Sequence, residues 1–258
     1  MTVTTPFLSR EERFDRVGST NDVVREWLAA GTPEVCLAVA DEQTAGRGRQ
    51  GRTWVAPPGA GLLLSLGFRP TWLAPDHVWR LAAIVSIAMA EAAEEITQLP
   101  AGAIRLKWPN DLVAPTFDAW LKLAGVLGET DGLGTDDPRA IVGIGVNTDW
   151  DFADFPPELS MTSLRHMSGG AIDPDVLIAA FLRRLRPLLD ALRDGSFAAD
   201  PWARRQVTTS TQIHFIEHDG TARSLQAVGV DTETGALLVI DGGIERAVHV
   251  GEIAHVRV

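Results

Sequence analysis

Two continuous apolar runs, residues 35–40 and 62–68, bracket a polar, glycine-rich stretch at 41–61. Runs without alternation mark strands buried on both faces, so the chain must set two strands deep in a sheet and bridge them with one long loop. That loop carries Gly46-Arg47-Gly48-Arg49-Gln50-Gly51-Arg52, three arginines interleaved with three glycines. Glycines let main-chain N–H groups close around an anion, and planar guanidinium groups pair two oxygens at once. A phosphate or carboxylate is one partner for such a loop; a solvated basic loop or a nucleic-acid contact is the other reading. The net charge of −11 argues against a surface that neutralises phosphates along a duplex, yet leaves room for one local basic site.

The rest of the chain predicts a sheet mixed with helices. Residues 12–17 alternate as a strand, and after Gly18 the sequence Ser19-Thr20-Asn21-Asp22 leads into Val23, Val24, Trp27 and Leu28 before Gly31, which reads as cap, short amphipathic helix and glycine stop. Apolar residues recur at helical spacing from Pro75 to Ile96, and Ile104-Arg105-Leu106 starts another strand. Residues 123–128 and 140–146 give two more strands, and Asp173-Pro174 opens a helix that Pro187 should kink or divide. Past residue 205 short β-type runs (212–216, 225–230, 237–240, 247–250, 253–258) alternate with the turn signals Asp219-Gly220, Thr234-Gly235 and Asp241-Gly242-Gly243. A small all-β barrel is expected there, with the boundary near Pro201-Trp202.

At 258 residues and 45% hydrophobic, the chain can bury one sizeable core plus a satellite. Its single cysteine, Cys36, sits inside an apolar run and reads as a buried inert thiol in a reducing compartment. No segment approaches the roughly 18 apolar residues that would span a bilayer, and the N-terminus lacks a basic-then-apolar leader, so a cytoplasmic protein without membrane partners is expected.

Several local patterns carry both a functional and a bland reading. Trp54, just past the basic loop, is a packing anchor or a cover for a ring. Ser19, Thr20 and Asn21 cap a helix by default, and otherwise line a polar pocket. Lys107-Trp108-Pro109-Asn110-Asp111 ends a predicted strand, where loops host sites; a surface ion pair with an Asx-turn is the alternative. Lys122 precedes Leu123-Ala124-Gly125, small residues that let a ligand approach the strand. Gly143-Ile144-Gly145-Val146-Asn147 matches no phosphate-binding Gly-x-x-x-x-Gly-Lys loop, and the chain has no Gly-x-Ser-x-Gly, His-Glu-x-x-His or Cys-x-x-Cys.

Taken in order, Ser19-Thr20-Asn21, Gln43 through Trp54, Lys107 through Asp111, Lys122 through Gly125 with Glu129, and Gly145-Val146-Asn147 resemble the biotin-protein ligases over nearly the whole chain. The resemblance implies an α+β fold: a mixed sheet flanked by helices, of the class II synthetase-like biotin/lipoate ligase type, over 1–204, then an SH3-like β-barrel over 205–258. It implies ATP and biotin as substrates, with Mg2+ carried by the triphosphate, and no metal held by the protein itself. Ser19, Thr20, Asn21, Gln43, Gly46, Arg47, Gly48, Arg49, Lys122 and Gly125 are the implied biotin contacts. Arg49, Arg52, Trp54, Lys107, Asn110, Asp111, Lys122 and Asn147 are the implied ATP contacts, with Lys122, Arg49, Arg52 and Asp111 carrying the chemistry.

The implied partner is a biotin carboxyl carrier domain of acyl-CoA carboxylases, met by a monomer or weak homodimer. Many relatives begin with a winged-helix DNA-binding domain; the segment before the first predicted strand is far too short for one, so a ligase without repressor function and without nucleic-acid partners is expected. The segment between Asp111 and Lys122 looks longer than usual for the family. Two rivals remain at this point: a lipoate- or octanoate-transferring enzyme of the same fold, and a non-catalytic biotin-binding module.

Overall fold

The computed structural model describes residues 7–116, 119–151, 155, 160–216, 221–249 and 255–257. The first apolar runs become β1 (Arg10–Val17), β2 (Cys36–Gln43) and β3 (Gly61–Phe68), with helix α1 (Thr20–Ala29) between the first two. Helix α2 (Trp79–Ile96) follows, then β4 (Arg105–Lys107), β5 (Asp111–Pro115), β6 (Trp120–Asp131) and β7 (Arg139–Asn147). These strands form one seven-stranded sheet in the order β1-β2-β3-β7-β6-β5-β4. Only β1 and β2 run parallel; the other neighbours are antiparallel, so the sheet is mixed.

Each face of the sheet has its own helical cover. Leu37, Val39, Leu62, Leu64, Leu66, Phe68, Val142, Ile144 and Val146 pack with α2 and with α4 (Pro174–Arg193) in the main core. Burying each such leucine fully contributes roughly 1.5–3 kcal/mol. Cys36, Ala38 and Ile141 point to the other face, where α1 lays Val24, Trp27 and Leu28. Because α1 is short, it covers only part of that face and leaves the sheet floor open beside β6 and β7. No helix among the described residues is long and apolar enough to cross a membrane.

The segment between Asp111 and Lys122, which looks long for the family, is largely strand: Asp111–Pro115 pairs antiparallel with Trp120–Gly125, with a register shift between Leu112 and Val113. Its apolar part, Leu112-Val113-Ala114, is fully buried but too short to announce a strand by pattern. Of the two outcomes expected for Pro187, a kink or a division, the division does not occur: α4 runs from Pro174 to Arg193 as one helix. Pro187 is exposed, so the carbonyl it leaves unpaired can meet water, while Leu185 and Leu189 stay buried on either side.

Helices α3 (Leu164–Ser168) and α5 (Ala199–Arg204) lead to a second, five-stranded antiparallel sheet ordered β11-β10-β9-β8-β12. Its strands are β8 (Gln212–Ile216), β9 (Ala222–Val230), β10 (Leu237–Asp241), β11 (Ile244–Val248) and β12 (His255–Arg257). Strand β11 starts earlier than expected because Gly242-Gly243 alone makes the turn between Asp241 and Ile244, both at positive φ (60° and 84°). The expected turn at Asp219-Gly220 lies outside the described residues.

Trp108 joins the two sheets. Its side chain belongs to the core of the second sheet, with Ile213, Ala227, Leu237 and Val239, and its Nε1 donates to Gly235 O at 2.9 Å. The segment entering the second sheet runs beside β4: Leu106 N donates to Arg205 O and Val207 N to Leu106 O, both at 2.8 Å. Buried Glu94 fastens this junction, accepting from Arg205 Nη1 at 2.7 Å and from Ile104 N at 2.9 Å. The Lys107–Asp111 turn is thus held from both sheets.

Candidate active site

The open floor beside α1 is a cleft of about 150 Å³. Its floor is glycine. A Cβ at Gly143 would stand 2.3 Å from Asn21 Oδ1, one at Gly145 would stand 2.6 Å from Trp54 Cε2, and one at Gly125 would stand 3.0 Å from Trp54 Cζ3. Strands β6 and β7 place Gly125 opposite Gly145. Hydrogen positions at these three sites therefore let an amide and an indole rest directly on the sheet.

One wall is the start of α1. Ser19 occupies the N-cap position but its side chain makes no capping bond. Instead Thr20 donates both its N–H and its hydroxyl to Gln43 Oε1, at 2.7 and 3.0 Å, so a strand residue satisfies the helix's unpaired first-turn donor. The Ser65 hydroxyl lies 2.7 Å from Thr20 Oγ1 and 2.6 Å from Asn21 Oδ1, with one proton to share. Ser19, Thr20, Asn21 and Ser65 are all buried, and together with Gln43 they form a neutral polar patch.

The basic loop forms the lid of the cleft. It folds as a tight hairpin: Arg47 bridges Thr53, Gly48 N donates to Arg52 O at 2.7 Å, and Trp54 N donates to Gly46 O at 2.9 Å. A Cβ at Gly46 would stand 2.5 Å from Trp54 O, and Gln50 and Gly51 turn at positive φ. Arg47 turns to α1, where Asp22 takes both of its terminal nitrogens. These hydrogen bonds, ahead of any other cause, hold the Asp22 carboxyl below the usual range and raise Arg47. Arg49 lines the cleft itself, and burial shifts its guanidinium in the opposite direction, downward.

At the far end, Lys122 Nζ stands 2.7 Å from Asp111 Oδ1 and 5.4 Å from the centroid of the Trp54 ring. Asn110 donates its amide to Val126 O at 2.8 Å, which ties the Lys107–Asp111 turn to β6. Neutral polar groups at one end and cations at the other are what a bifunctional ligand with an uncharged polar head and an anionic tail requires.

The match to known proteins agrees with this arrangement. The model of the biotin/lipoate A/B protein ligase family fits residues 13–147. The chain belongs to this family. Among its relatives in the biotin/lipoate A/B protein ligase family, the biotin–[acetyl-CoA-carboxylase] ligase of Paracoccus denitrificans is 33% identical over 239 residues, covering 87% of this chain and 91% of that protein. The corresponding ligase of Mycobacterium tuberculosis is 28% identical over 247 residues, covering 94% and 87%. A solved structure of biotin protein ligase from Aquifex aeolicus in complex with biotin and ATP superposes with a TM-score of 0.77 at 26% identity, over 96% of this chain and 98% of that one.

Of the residues picked out from sequence as ligase contacts, Ser19, Thr20, Asn21, Gln43, Arg47, Gly48, Arg49, Arg52, Trp54, Lys107, Asn110, Asp111, Lys122 and Gly125 line this cleft. Gly46 and Asn147 stand outside the lining. Gly46 shapes the base of the lid, and Asn147, fully buried, donates to Thr162 O at 3.0 Å. Sequence reasoning passed over Ser65, took Asp22 only as part of a helix start, and named Gly143 and Gly145 without assigning them to the site. A lone serine in the run Gly61-Leu62-Leu63-Leu64-Ser65-Leu66 was the available signal for Ser65. Asp22 had none beyond its place at a helix start.

Proposed function

We propose that this protein is an ATP-dependent ligase, which forms biotinyl-5′-AMP from biotin and MgATP and passes the biotinyl group to a lysine of a biotin carboxyl carrier domain. The observation that carries this reading is one cleft in which the Thr20–Asn21–Gln43 patch, backed by buried Ser65, and the Arg49–Lys107–Lys122 end meet over a glycine floor. Its likeness to a ligase solved with both biotin and ATP supports the substrate pair.

In the first step an oxygen of the biotin carboxylate attacks the α-phosphorus of ATP, and the bond to pyrophosphate breaks. Two anions must approach each other. Each cation placed about 4 Å away offsets on the order of 4 kcal/mol of repulsion at an effective dielectric near 20, so several are needed. Arg49, Arg52, Lys107 and Lys122 supply them, with magnesium arriving on the triphosphate as part of the substrate.

Ser19, Thr20, Asn21 and Gln43 are assigned to the ureido ring, whose donors and acceptors they match; an analogue lacking that ring leaves them unpaired. Gly46, Arg47, Gly48 and Gly125 shape the space around the acid's chain, Trp54 and Asn110 are assigned to the nucleotide, and buried Asn147 is assigned to holding the end of β7 beside it. In the second step the carrier lysine, as a neutral amine, attacks the acyl carbon. A C–N bond forms, the bond to AMP breaks, and the amine gives up a proton. Asp111 is the candidate acceptor of that proton.

Residues 1–204 are taken as the catalytic unit and 205–258 as an SH3-like barrel. Five short antiparallel strands around a second apolar cluster, which Trp108 also enters, support that division. The test is mass-detected labelling of a biotin carboxyl carrier domain. One biotinyl group should appear only with ATP, and lipoate should not replace biotin. Biotin binding without pyrophosphate release would favour a non-catalytic module instead.

A further inference from the structure

We propose that Asp22 and Glu129 form a two-carboxylate catch for Arg47, which fastens the arginine-glycine lid to α1 and makes Asp22 a positioning residue for retention of the bound acid. The inference deepens the ligase reading and rests on it. Arg47 Nη1 meets Asp22 Oδ2 and Nη2 meets Asp22 Oδ1, each at 2.7 Å, the two-pronged geometry that a guanidinium and a carboxylate share. Arg47 Nη2 also lies 3.5 Å from Glu129 Oε1.

Single exposed ion pairs contribute little. This one is built differently. It joins two elements 25 residues apart in sequence, and its second carboxylate stands on β6, so three separate elements converge on one guanidinium. Glu129 also accepts from Asn21 Nδ2 at 2.5 Å and from Arg25 Nη2 at 2.9 Å, so the catch is continuous with the polar wall of the cleft. Arg47 is itself one rung of the lid hairpin, bridged to Thr53, so fixing its side chain fixes the hairpin that carries Arg49 over the cleft and sets Trp54 on the floor. Neither carboxylate touches the reacting end at Lys122. Their effect is on how long the lid stays shut.

The experiment compares full-length wild type with Asp22→Ala, Arg47→Ala, the double variant and Asp22→Glu. It reads three quantities: the biotin release rate by stopped flow, biotinylation of an added bystander protein, and the maximal rate of ATP–pyrophosphate exchange. Asp22→Ala should speed biotin release and raise bystander labelling about tenfold, with the exchange rate moving less than about threefold, and Asp22→Glu should restore most of the loss. The double variant should release biotin no faster than the quicker single variant.

Unchanged release in Asp22→Ala, or single effects that multiply to about a hundredfold in the double variant, would overturn the catch. Should Asp22→Ala fold poorly, the near-isosteric Asp22→Asn is held to the same criteria. A wild type that binds biotin but never releases pyrophosphate would defeat the ligase reading alone, and the catch would then be judged on biotin release.

Discussion

The indole of Trp54 rests on the backbone of Gly145 so closely that a Cβ at 145 would stand 2.6 Å from Cε2. The floor cannot yield, because β7 is paired on both sides, Gly145 to Leu63 and to Gly125. Gly145→Ala must therefore lift the ring. Biotin-dependent ATP–pyrophosphate exchange should fall more than about tenfold in kcat/KM while the thermal melt stays within a few degrees. Unchanged exchange would show that the floor does not set Trp54.

Lys122 stands between Asp111 and the Trp54 ring at the cationic end of the cleft. Lys122→Ala leaves the Asp111 carboxylate without that counter-charge and removes a cation from the meeting point of two anions. Adenylate formation should drop by at least about a hundredfold. A near-normal exchange rate in this variant would reject its assigned role.

Arg49 lines the cleft from the lid, as does its neighbour Arg47, whose guanidinium is held by Asp22. Removing the Arg49 side chain should let the mixed anhydride escape and react with any amine nearby. Arg49→Gly is expected to label bystander lysines about tenfold more than wild type, read on a blot for protein-bound biotin. No rise in that labelling would remove Arg49 from retention.

Cys36 is fully buried under α1, and burial pushes its thiol up to about 11. The thiol therefore stays neutral from pH 7 to 9, and its reactivity should appear only above that range or on unfolding. Native protein at pH 8 should react with a thiol-specific chromogenic reagent more than about a hundredfold more slowly than protein in denaturant. Prompt reaction in the native state would contradict the packing of α1 on β2.

The parts of the fold legible in the sequence were those with long one-sided or two-sided apolar patterns. β2, β3, β7 and α2 qualify, since burial alone dictates their composition. β5 escaped because Leu112-Val113-Ala114 is only one short buried rung, and α4 can run through Pro187 because that residue lies on the exposed face of the helix. The cleft was readable where a residue type is costly without a purpose, as with Arg47, Arg49 and Lys122. It was dark where the feature is an absence or an ordinary helix-start residue: Gly143 matters because nothing projects there, and Asp22 because of a partner 25 residues away.

The central claim is that the acid and the nucleotide meet beneath the lid, beside Lys122 and the Trp54 ring that rests on Gly125 and Gly145. A crystal structure with biotin and a non-hydrolysable ATP analogue tests it most directly. The account predicts the biotin carboxylate and the α-phosphate both within about 4 Å of Lys122 Nζ, with the ring against Thr20, Asn21 and Gln43. Clear density for both ligands away from residues 43–54 and 122 would contradict it.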